Sequence, residues 1–499
     1  MKKVLLWWPM APHGLITELR GAGYEVVGII EQKSDQVPMF RVMDLFDLGS
    51  YTEYRYKPWY RSLFTDCFAH YYKNISRVSV AQSPKHAFFR KPNYFEPSYY
   101  AYDEVANRFF LHASRLDQLL QHTGAEAVWF SRAPHLGLDN LMLEIAQRKG
   151  LQTLVFQQTI IPDKFFYGRA TAELFAHARR CALAFEPYRV SDERDLDLFY
   201  MKARRDPDRE RKYKLFRSIR KRRFRFTAAW RLHAFLLAHN RRLLAALFYY
   251  LFHRSRKKLL DQMRNRERAR EFGRNASDQL TLATLPSRLV YFPLHLEPEA
   301  TTSEFGGAYK DQINAIEAMS AALPEDWVLV LKENPKQTFF YRSPEFHARI
   351  EANPRIQWAA PTEDSLALIE RCQFVATITG TAGYEAIVRG KPVVHFGDAW
   401  YASVSGAFDF ASMPRPEQVA AFTIERSQLR RDLENLLSHA ADGVIYSQFQ
   451  AVSKLSPAQS VQTAVRSLTA IDRLLHGTEP TGKVGMTPAQ NQGIAAGAS

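Results

Sequence analysis

The residues Thr-Gly-Thr-Ala-Gly-Tyr-Glu at 379–385 join two stretches that read as strands of a parallel sheet. The apolar run over 374–378 predicts the strand that enters this turn, and a short helix is predicted over 384–389. A second apolar strand is predicted over 393–396. The segment is therefore a βαβ unit whose turn lies at the carboxyl end of a strand, where open parallel sheets bind ligands.

The small residues of this turn are suited to binding an anion. They let a ligand approach the backbone, and the free N–H groups at a helix start favour a phosphate. We predict that the phosphate contacts come from Thr379, Gly380, Thr381 and Gly383. Glu385, one turn into the helix, can accept hydrogen bonds from sugar hydroxyls. The same spacing also fits a tight structural turn with Glu385 as a solvated helix residue.

Polar residues also follow two other predicted strands. One apolar run leads into a loop that holds His295 and Glu297, and another ends at Lys332, Glu333 and Asn334. Strand and helix patterns alternate through this half of the chain, which predicts a parallel, doubly wound sheet. Because the carboxyl ends of parallel strands share one edge of a sheet, we expect these polar residues and the glycine turn to line one crevice.

The motifs of residues 288–403 follow one another in the order PLHLEPEATT, a Gly-Gly-x-Tyr-x-Asp-Gln helix start, LPEDW, VLKENP, GTAGYEA, GKPVVHFG and AWY. In this order and spacing the chain resembles the bacterial capsular polysaccharide biosynthesis family, which includes β-Kdo transferases of capsule assembly. Residues 125–165 add weaker support. The resemblance implies a GT-B glycosyltransferase, with two Rossmann-like domains facing a cleft and the nucleotide-sugar held mainly by the C-terminal one.

The resemblance also implies roles for the site residues. The donor phosphate would lie at the start of the helix after Gly380, with help from Lys332 and Asn334, and Glu385 would contact the nucleotide ribose. His295 and Glu297 would position the transferred sugar. The implied donor is CMP-linked Kdo, the acceptor is a growing or lipid-linked glycan, and capsule assembly proteins are candidate partners.

One position departs from the family's pattern. Where the family usually reads Lys-Glu-His-Pro, with the histidine expected on the donor phosphate, this chain has Asn334. An asparagine donates a hydrogen bond, but it carries no charge and shuttles no proton. His295 or Lys332 could supply the missing charge. If neither residue does so, the protein would have lost the transferase activity that the resemblance implies.

The N-terminal half is also predicted to be α/β, and its candidate residues lie in a loop after a strand that ends at Phe130. His135 or Asp139 could act as a base or as an electrostatic partner, and Arg132 could bind an acidic acceptor. Each has a plainer explanation. The histidine would be a hydrogen-bonded loop residue, and Asp139 would compensate the charge of a helix start.

The charge of the chain is concentrated in its centre. The net charge is +15, and residues 211–270 hold 20 Lys/Arg against two acids, a local charge of +18. An apolar, aromatic-rich run at 243–252 is flanked by arginines and lysines but is too short to span a bilayer, which needs about twenty residues. We predict that it lies on an anionic membrane surface. Nucleic acid ranks below a membrane or an anionic glycan as its partner, and a helical insertion with solvated charges is the other explanation.

These patterns predict an organisation in four parts: an N-terminal Rossmann-like acceptor domain (1–187), a basic helical segment (188–284), a C-terminal nucleotide-sugar-binding domain (285–476) and a disordered tail (477–499). The fold class is α/β and GT-B-like, with the basic helical insertion between its two domains. Three widely spaced cysteines show no metal-ligand pattern and fit buried thiols in a reducing cytoplasm. We therefore expect no metal ion and no cofactor besides the nucleotide-sugar substrate.

The sequence thus favours a cytoplasmic glycosyltransferase of capsular or surface polysaccharide synthesis, peripheral on the inner membrane. Two alternatives stay open at this point. One is a CDP-polyol phosphotransferase of the teichoic-acid type, which would use a similar fold and a related phosphate loop. The other is a non-catalytic capsule assembly or export partner, which Asn334 favours and the intact GTAGYEA loop opposes.

Overall fold

The structure, a computed structural model, describes residues 1–30, 36–40, 56–69, 71, 102–135, 137–159, 161, 163–190, 279–297, 299–334, 342, 344–360 and 362–477. The basic segment over 211–270 and the tail beyond 477 lie outside the described residues, and so do the predictions made for them.

Seven strands form the N-terminal sheet: β1 (Lys2–Trp7), β2 (Tyr24–Ile30), β3 (Met39–Phe40), β4 (Ala127–Phe130), β5 (Gln152–Gln158), β6 (Lys164–Gly168) and, from the far end of the chain, β13 (Ala441–Asp442). Their order is β13-β6-β5-β4-β1-β2-β3. Strands β1 to β5 run parallel, whereas β6 is antiparallel to both of its neighbours. All four residues of β4 are buried, as expected for a central parallel strand covered by helices on both faces.

The helices of this domain include α1 (Leu15–Gly21), α2 (Tyr102–Thr123), α3 (Leu138–Arg148), α4 (Ala176–Arg179) and α12 (Pro457–His476), and residues 60–69 are also helical. The apolar spacing of α2 and α3 buries one face of each helix in the core, with Phe109, Leu116 and Ile145 fully or almost fully buried. These helices hold the strand ends in place.

Six strands form the C-terminal sheet, all of them parallel: β7 (Leu289–Pro293), β8 (Val328–Lys332), β9 (Ile356–Trp358), β10 (Phe374–Thr377), β11 (Val393–His395) and β12 (Ala407–Asp409). Their order is β12-β11-β10-β7-β8-β9. This is the doubly wound arrangement in which the strand order reverses between the first and fourth strands, here β7 and β10.

Seven helices connect these strands and complete the domain: α5 (Ala300–Ser303), α6 (Gln312–Ala322), α7 (Pro344–Glu351), α8 (Ser365–Arg371), α9 (Thr381–Val388), α10 (Pro416–Ala420) and α11 (Arg426–Ser438). The predicted fold class, two Rossmann-like α/β domains in a GT-B-like chain, is confirmed for the described residues. Helix α9 begins at Thr381, earlier than predicted, because Gly380 has extended backbone angles and serves as its N-cap.

The end of the chain returns to the N-terminal domain. Strand β13 pairs with β6, and α12 packs against α1. Lys2 Nζ lies 2.6 Å from a carboxylate oxygen of Asp472, which also accepts a hydrogen bond from Tyr24 Oη at 3.0 Å. Residues 441–476 therefore pack on the N-terminal domain, whereas the C-terminal domain was predicted to run to 476. The amphipathic pattern of α12 predicts a buried face but does not say which domain covers it.

The two domains also meet directly. Arg179 of α4 forms an ion pair with Asp398, which follows β11. The rings of Phe175 and Phe305 lie 5.1 Å apart across the same boundary. None of the helices described here has the length and apolar character needed to cross a bilayer.

Candidate active site at the sheet switch point

The ends of β7 and β10 are joined by a hydrogen bond at the point where the strand order reverses. His295 follows β7, and its Nε2 lies 3.0 Å from the hydroxyl of Thr377, the last residue of β10. Burial, with a smaller effect of Arg342, lowers the pKa of His295 to about 4. At pH 7 this environment favours the neutral imidazole over the charged form that would replace a histidine at position 334.

Arg342 holds the ends of β7 and β8 together. Its side chain is 1% exposed and forms ion pairs with Glu297, at 3.1 Å, and with Glu333, at 2.5 Å. A second hydrogen bond reaches Glu333 at 2.9 Å, so that contact is a two-point fork. The guanidinium also donates to the backbone carbonyl of His295 at 2.9 Å. Four hydrogen bonds from one buried cation thus fix both polar loops.

Sequence reasoning missed Arg342, because no sequence motif surrounds it between β8 and α7. One signal could have revealed it. Glu297 and Glu333 follow neighbouring strands, and two carboxylates brought together at a buried strand edge need a cation between them.

The remaining residues at the end of β8 take separate partners. Lys332 Nζ donates to the hydroxyl of Ser365, the first residue of α8, at 2.9 Å. Burial lowers the pKa of Lys332, whereas Asp364 and Glu363 raise it. The backbone N–H of Asn334 donates to Glu333 at 2.8 Å, and the Asn334 residue is half-buried at the same strand end.

The start of α9 presents an open turn to this crevice. The Gly380 carbonyl accepts a hydrogen bond from Tyr401 Oη at 2.7 Å, and the Gly380 N–H donates to Thr377 Oγ1 at 3.2 Å. Thr379 Oγ1 donates to the carbonyl of Thr301 at 2.7 Å. Thr381, the first helical residue, is exposed, so the start of the helix is accessible. Such a helix start favours an anion.

The two glycines of the motif are required for protein packing. A Cβ at Gly380 would lie 2.8 Å from Thr377 Oγ1 and 2.9 Å from His295 Cε1. A Cβ at Gly383 would lie 2.1 Å from Tyr401 Oη and 2.9 Å from a Val393 methyl group. The side of Gly383 where a Cβ would lie therefore faces the domain core, and its N–H donates to the carbonyl of Gly380 at 3.0 Å. A phosphate contact at Gly383 stays a prediction.

We expect Gly383→Ala to lower the free energy of unfolding by roughly 1–3 kcal/mol, because the new methyl group forces Tyr401 to move within a packed core. Urea unfolding followed by circular dichroism measures the change. Gly21→Ala is the matched control: it also lies in a helix, and nothing stands within 4 Å of its Cβ position. Unfolding of Gly383→Ala at the wild-type urea concentration would contradict this packing.

Glu385 is 6% exposed, so it is not a solvated helix residue. Burial raises the pKa of both Tyr291 and Tyr401, and the Glu385 carboxylate adds to the increase in each. The carboxylate therefore lies among the buried groups behind α9. Contact with a nucleotide ribose stays a prediction.

The N-terminal residues approach the cleft from the other side. His135 Nδ1 lies 2.7 Å from the carbonyl of Ala133. Burial lowers the pKa of His135, whereas Asp139 and, from the C-terminal domain, Glu299 raise it. The loop after β4 thus faces the loop after β7. Asp139 is 2% exposed and accepts a hydrogen bond from the backbone of Asn140 at 2.9 Å, which matches the helix-start explanation.

The structure thus gathers His295, Glu297, Glu333 and Asn334 with the start of α9 along one sheet edge, as predicted. Lys332 is turned toward α8, and Gly383 and Glu385 are turned into the protein. Over the described ranges, no three His, Cys, Asp or Glu side chains lie close enough together to hold a metal ion.

Residues 237–410 match the family model described as capsule polysaccharide biosynthesis protein, which confirms the resemblance predicted from the motifs. The match includes all of the C-terminal strand ends described above. No curated protein matches the chain.

Among solved structures, the chain is similar to Thermosulfurimonas dismutans KpsC, beta Kdo 2,7 transferase, at 12% identity over 70% of this chain and 88% of that one, with a TM-score of 0.32. The beta Kdo 2,4 transferase of the same KpsC gives 13% identity over 64% and 80%, with a TM-score of 0.31. The UDP-GlcNAc 2-epimerase of Methanocaldococcus jannaschii gives 10% identity over 94% and 100%, with a TM-score of 0.25. At these TM-scores the likenesses carry no argument about this chain.

Proposed function

From the match of residues 237–410 to the capsule polysaccharide biosynthesis family, we propose that the protein is a glycosyltransferase that uses a nucleotide-sugar donor in capsule synthesis. The observation that carries the proposal is the switch-point crevice. There the exposed start of α9 lies beside the hydrogen-bonded ends of β7 and β10. This is the position at which open α/β sheets bind nucleotides.

In the proposed reaction the donor phosphate rests on the backbone N–H groups of Thr381 and Ala382 at the start of α9. As the bond between sugar and phosphate breaks, negative charge grows on the phosphate, and the helix start stabilises it. Asn334 adds a neutral hydrogen-bond donor from the end of β8. Arg342 is engaged by Glu297 and Glu333, so its charge serves to hold the loops and not to bind the phosphate.

The finer assignments are also proposals. The donor is CMP-linked Kdo, and the acceptor is a growing or lipid-linked glycan. His135 and Asp139 belong to the acceptor side, where His135 is the better candidate base because it is partly exposed while Asp139 is buried. We propose that the protein works in the cytoplasm at the inner membrane surface.

A ligand panel followed by product analysis tests the function. CMP, CDP, UDP and GDP are compared by calorimetry, and the matching sugar donors are then incubated with capsule oligosaccharides. We expect binding of CMP and a new glycosidic bond in the product. A phosphodiester in the product would contradict the proposal and identify a polyol phosphotransferase. Absence of binding to every nucleotide would instead favour a non-catalytic protein.

Asn334 offers a specific test of the donor contact. We expect Asn334→His to keep or raise turnover, because an imidazole can also donate to the phosphate. Asn334→Leu should lower turnover by about tenfold or more, because a hydrogen bond to a charged group is lost. Steady-state kinetics with saturating acceptor measures both variants. Equal turnover of all three proteins would show that this position does not touch the donor.

The basic segment offers a test of membrane association from sequence alone. Each basic residue near an anionic bilayer contributes about 1 kcal/mol, and salt weakens that attraction. We expect Arg254→Glu, Arg256→Glu, Lys257→Glu and Lys258→Glu together to release the protein from vesicles containing phosphatidylserine. Transfer to a short soluble acceptor should persist.

The matched control reverses four exposed basic residues elsewhere: Arg20, Lys310, Arg371 and Arg415. Co-sedimentation at low and high salt gives the readout. If the control and the segment variant bind vesicles equally, the segment is not the membrane contact.

A further inference from the structure

A cavity of about 730 Å³ lies beside the switch-point crevice, outside the carboxyl ends of β11 and β12. Its size falls within the range of about 300–1,000 Å³ that is usual for small-molecule sites. Both domains line it, and Arg179 of α4 and Asp398 of the C-terminal domain are paired at its wall. None of its residues was singled out by the sequence motifs for chemistry.

The cavity wall adjoins the donor loop directly. Gly397 lines the cavity, and its N–H donates to the carbonyl of Ile378 at 3.0 Å. A Cβ at Gly397 would lie 2.8 Å from Thr379 Cγ2 and 2.2 Å from the carbonyl oxygen of Phe305. Gly397 therefore contacts both the cavity and the turn before α9. The cavity lies next to the proposed phosphate site, which an acceptor hydroxyl has to approach.

One buried side chain has an unused hydrogen-bonding atom there. His395, the last residue of β11, is 3% exposed and lines the cavity. Its Nδ1 lies 2.9 Å from the carbonyl of Gly397, and because a carbonyl only accepts, Nδ1 carries the proton. Nε2 is then an acceptor, and it makes no hydrogen bond within the described part of the chain. Burial lowers the pKa of His395, so the ring is neutral at pH 7.

The charges around His395 disfavour an acidic ligand. Asp398 and Asp409 line the cavity, and Arg179, the cation among its described lining residues, is paired with Asp398. A carboxylate or phosphate would therefore meet the negative charge of Asp409. Hydroxyl groups, in contrast, donate to carboxylates and to a neutral imidazole. The rings of Phe305, Phe396 and Phe408 add apolar surface for the face of a sugar ring.

We propose that this cavity is a subsite for a neutral sugar ring, and that His395 recognises one of its hydroxyl groups through Nε2. The proposal rests on the proposed glycosyltransferase function. The ring belongs to the acceptor glycan, because Kdo, the proposed donor sugar, carries a carboxylate.

Ligand-observed NMR on the full chain tests the subsite. The probes are the methyl glycosides of glucose, galactose and N-acetylglucosamine, with free Kdo and methyl glucuronide as acidic counterparts. We expect the neutral glycosides to bind at least several-fold more tightly than the acidic ones. Equal or tighter binding of the acidic sugars overturns the proposal, and so does absence of binding by every neutral glycoside.

Substitutions of His395 test whether the glycosides bind in this cavity. His395→Phe should weaken the neutral glycosides about tenfold, since one hydrogen bond in a desolvated site is lost, and His395→Gln should restore most of the affinity. His439→Phe is the matched control: its Nδ1 also contacts a carbonyl, that of Asn435 at 2.8 Å, but it lies outside the cavity. An unchanged affinity in His395→Phe overturns the proposal.

A second variant changes an exposed residue of the cavity and leaves the buried His395 in place. Asp409 is exposed, and its role as acceptor for the Ala411 N–H at 2.8 Å can be taken over by an asparagine. Asp409→Asn should raise the affinity for Kdo relative to the neutral glycosides by about threefold, because one rim carboxylate is removed. No change in this ratio counts against the charge argument.

Measurements of nucleotide affinity separate this subsite from the donor site. CMP affinity should be unchanged in His395→Phe; a fall would mean that the cavity holds the nucleoside, and the sugar proposal would be overturned. If His395→Phe weakens CMP-Kdo more than CMP, the cavity holds the transferred sugar and the proposal is overturned, whereas equal effects identify the acceptor glycan. Failure of every nucleotide to bind wild type while glycosides still bind would refute the donor site alone.

Discussion

Arg342→Met should lower the free energy of unfolding by about 3–5 kcal/mol, the usual effect of removing one partner from a buried ion pair. The Arg342 side chain is 1% exposed and lies between the carboxylates of Glu297 and Glu333. Without it, two acids face each other at a buried strand edge, and the His295 carbonyl loses its donor. Urea unfolding followed by circular dichroism measures the change.

Two further variants separate charge from geometry. Arg342→Lys keeps the charge but loses the planar fork that contacts Glu333 at two points, so its stability should fall between that of Arg342→Met and wild type. The triple variant Glu297→Gln, Glu333→Gln and Arg342→Met removes all three charges and should regain most of the lost stability. If Arg342→Met unfolds at the same urea concentration as wild type, this cluster does not hold the two loops together.

The triple variant also tests the site. The loops after β7 and β8 would remain folded but would no longer be held by a charged fork, so we expect CMP affinity to stay well below that of wild type. Recovery of both stability and CMP affinity would show that Arg342 matters for folding alone.

Thr381→Pro should weaken nucleotide binding by about 10–100-fold with little change in stability. Thr381 is the first residue of α9, where the backbone N–H has no partner inside the helix and proline is well tolerated. The preceding Gly380 has φ −69° and ψ 152°, which is the extended conformation that a following proline requires. The substitution therefore removes one N–H from the proposed phosphate site and leaves the helix intact.

The fold itself supplies a precedent for this design, since α10 and α12 begin with Pro416 and Pro457. Thr381→Ala is the matched control, because it removes the hydroxyl and keeps the N–H. Calorimetry with CMP gives the affinities, and thermal unfolding without ligand verifies the fold. A folded Thr381→Pro protein with wild-type affinity would exclude the start of α9 as the phosphate site.

Sequence patterns alone determined the fold class and the edge at which the site lies. Buried parallel strands are continuous apolar runs, so β7, β8 and β10 could be recognised and the polar residues after them could be placed at one edge. The turn at 379–383 marked the strand that borders the switch point. These features are local, because each depends on neighbouring residues in the chain.

Only the tertiary structure decided what each residue of that edge faces. Gly383 is a glycine because Tyr401 Oη occupies the space beside it, and Arg342 is buried because Glu297, 45 residues earlier in the chain, meets Glu333 there. The return of α12 to the first domain and the cavity at His395 likewise depend on which distant surfaces come into contact. Periodicity predicts that a side chain is buried, but the group that it meets is set by long-range packing.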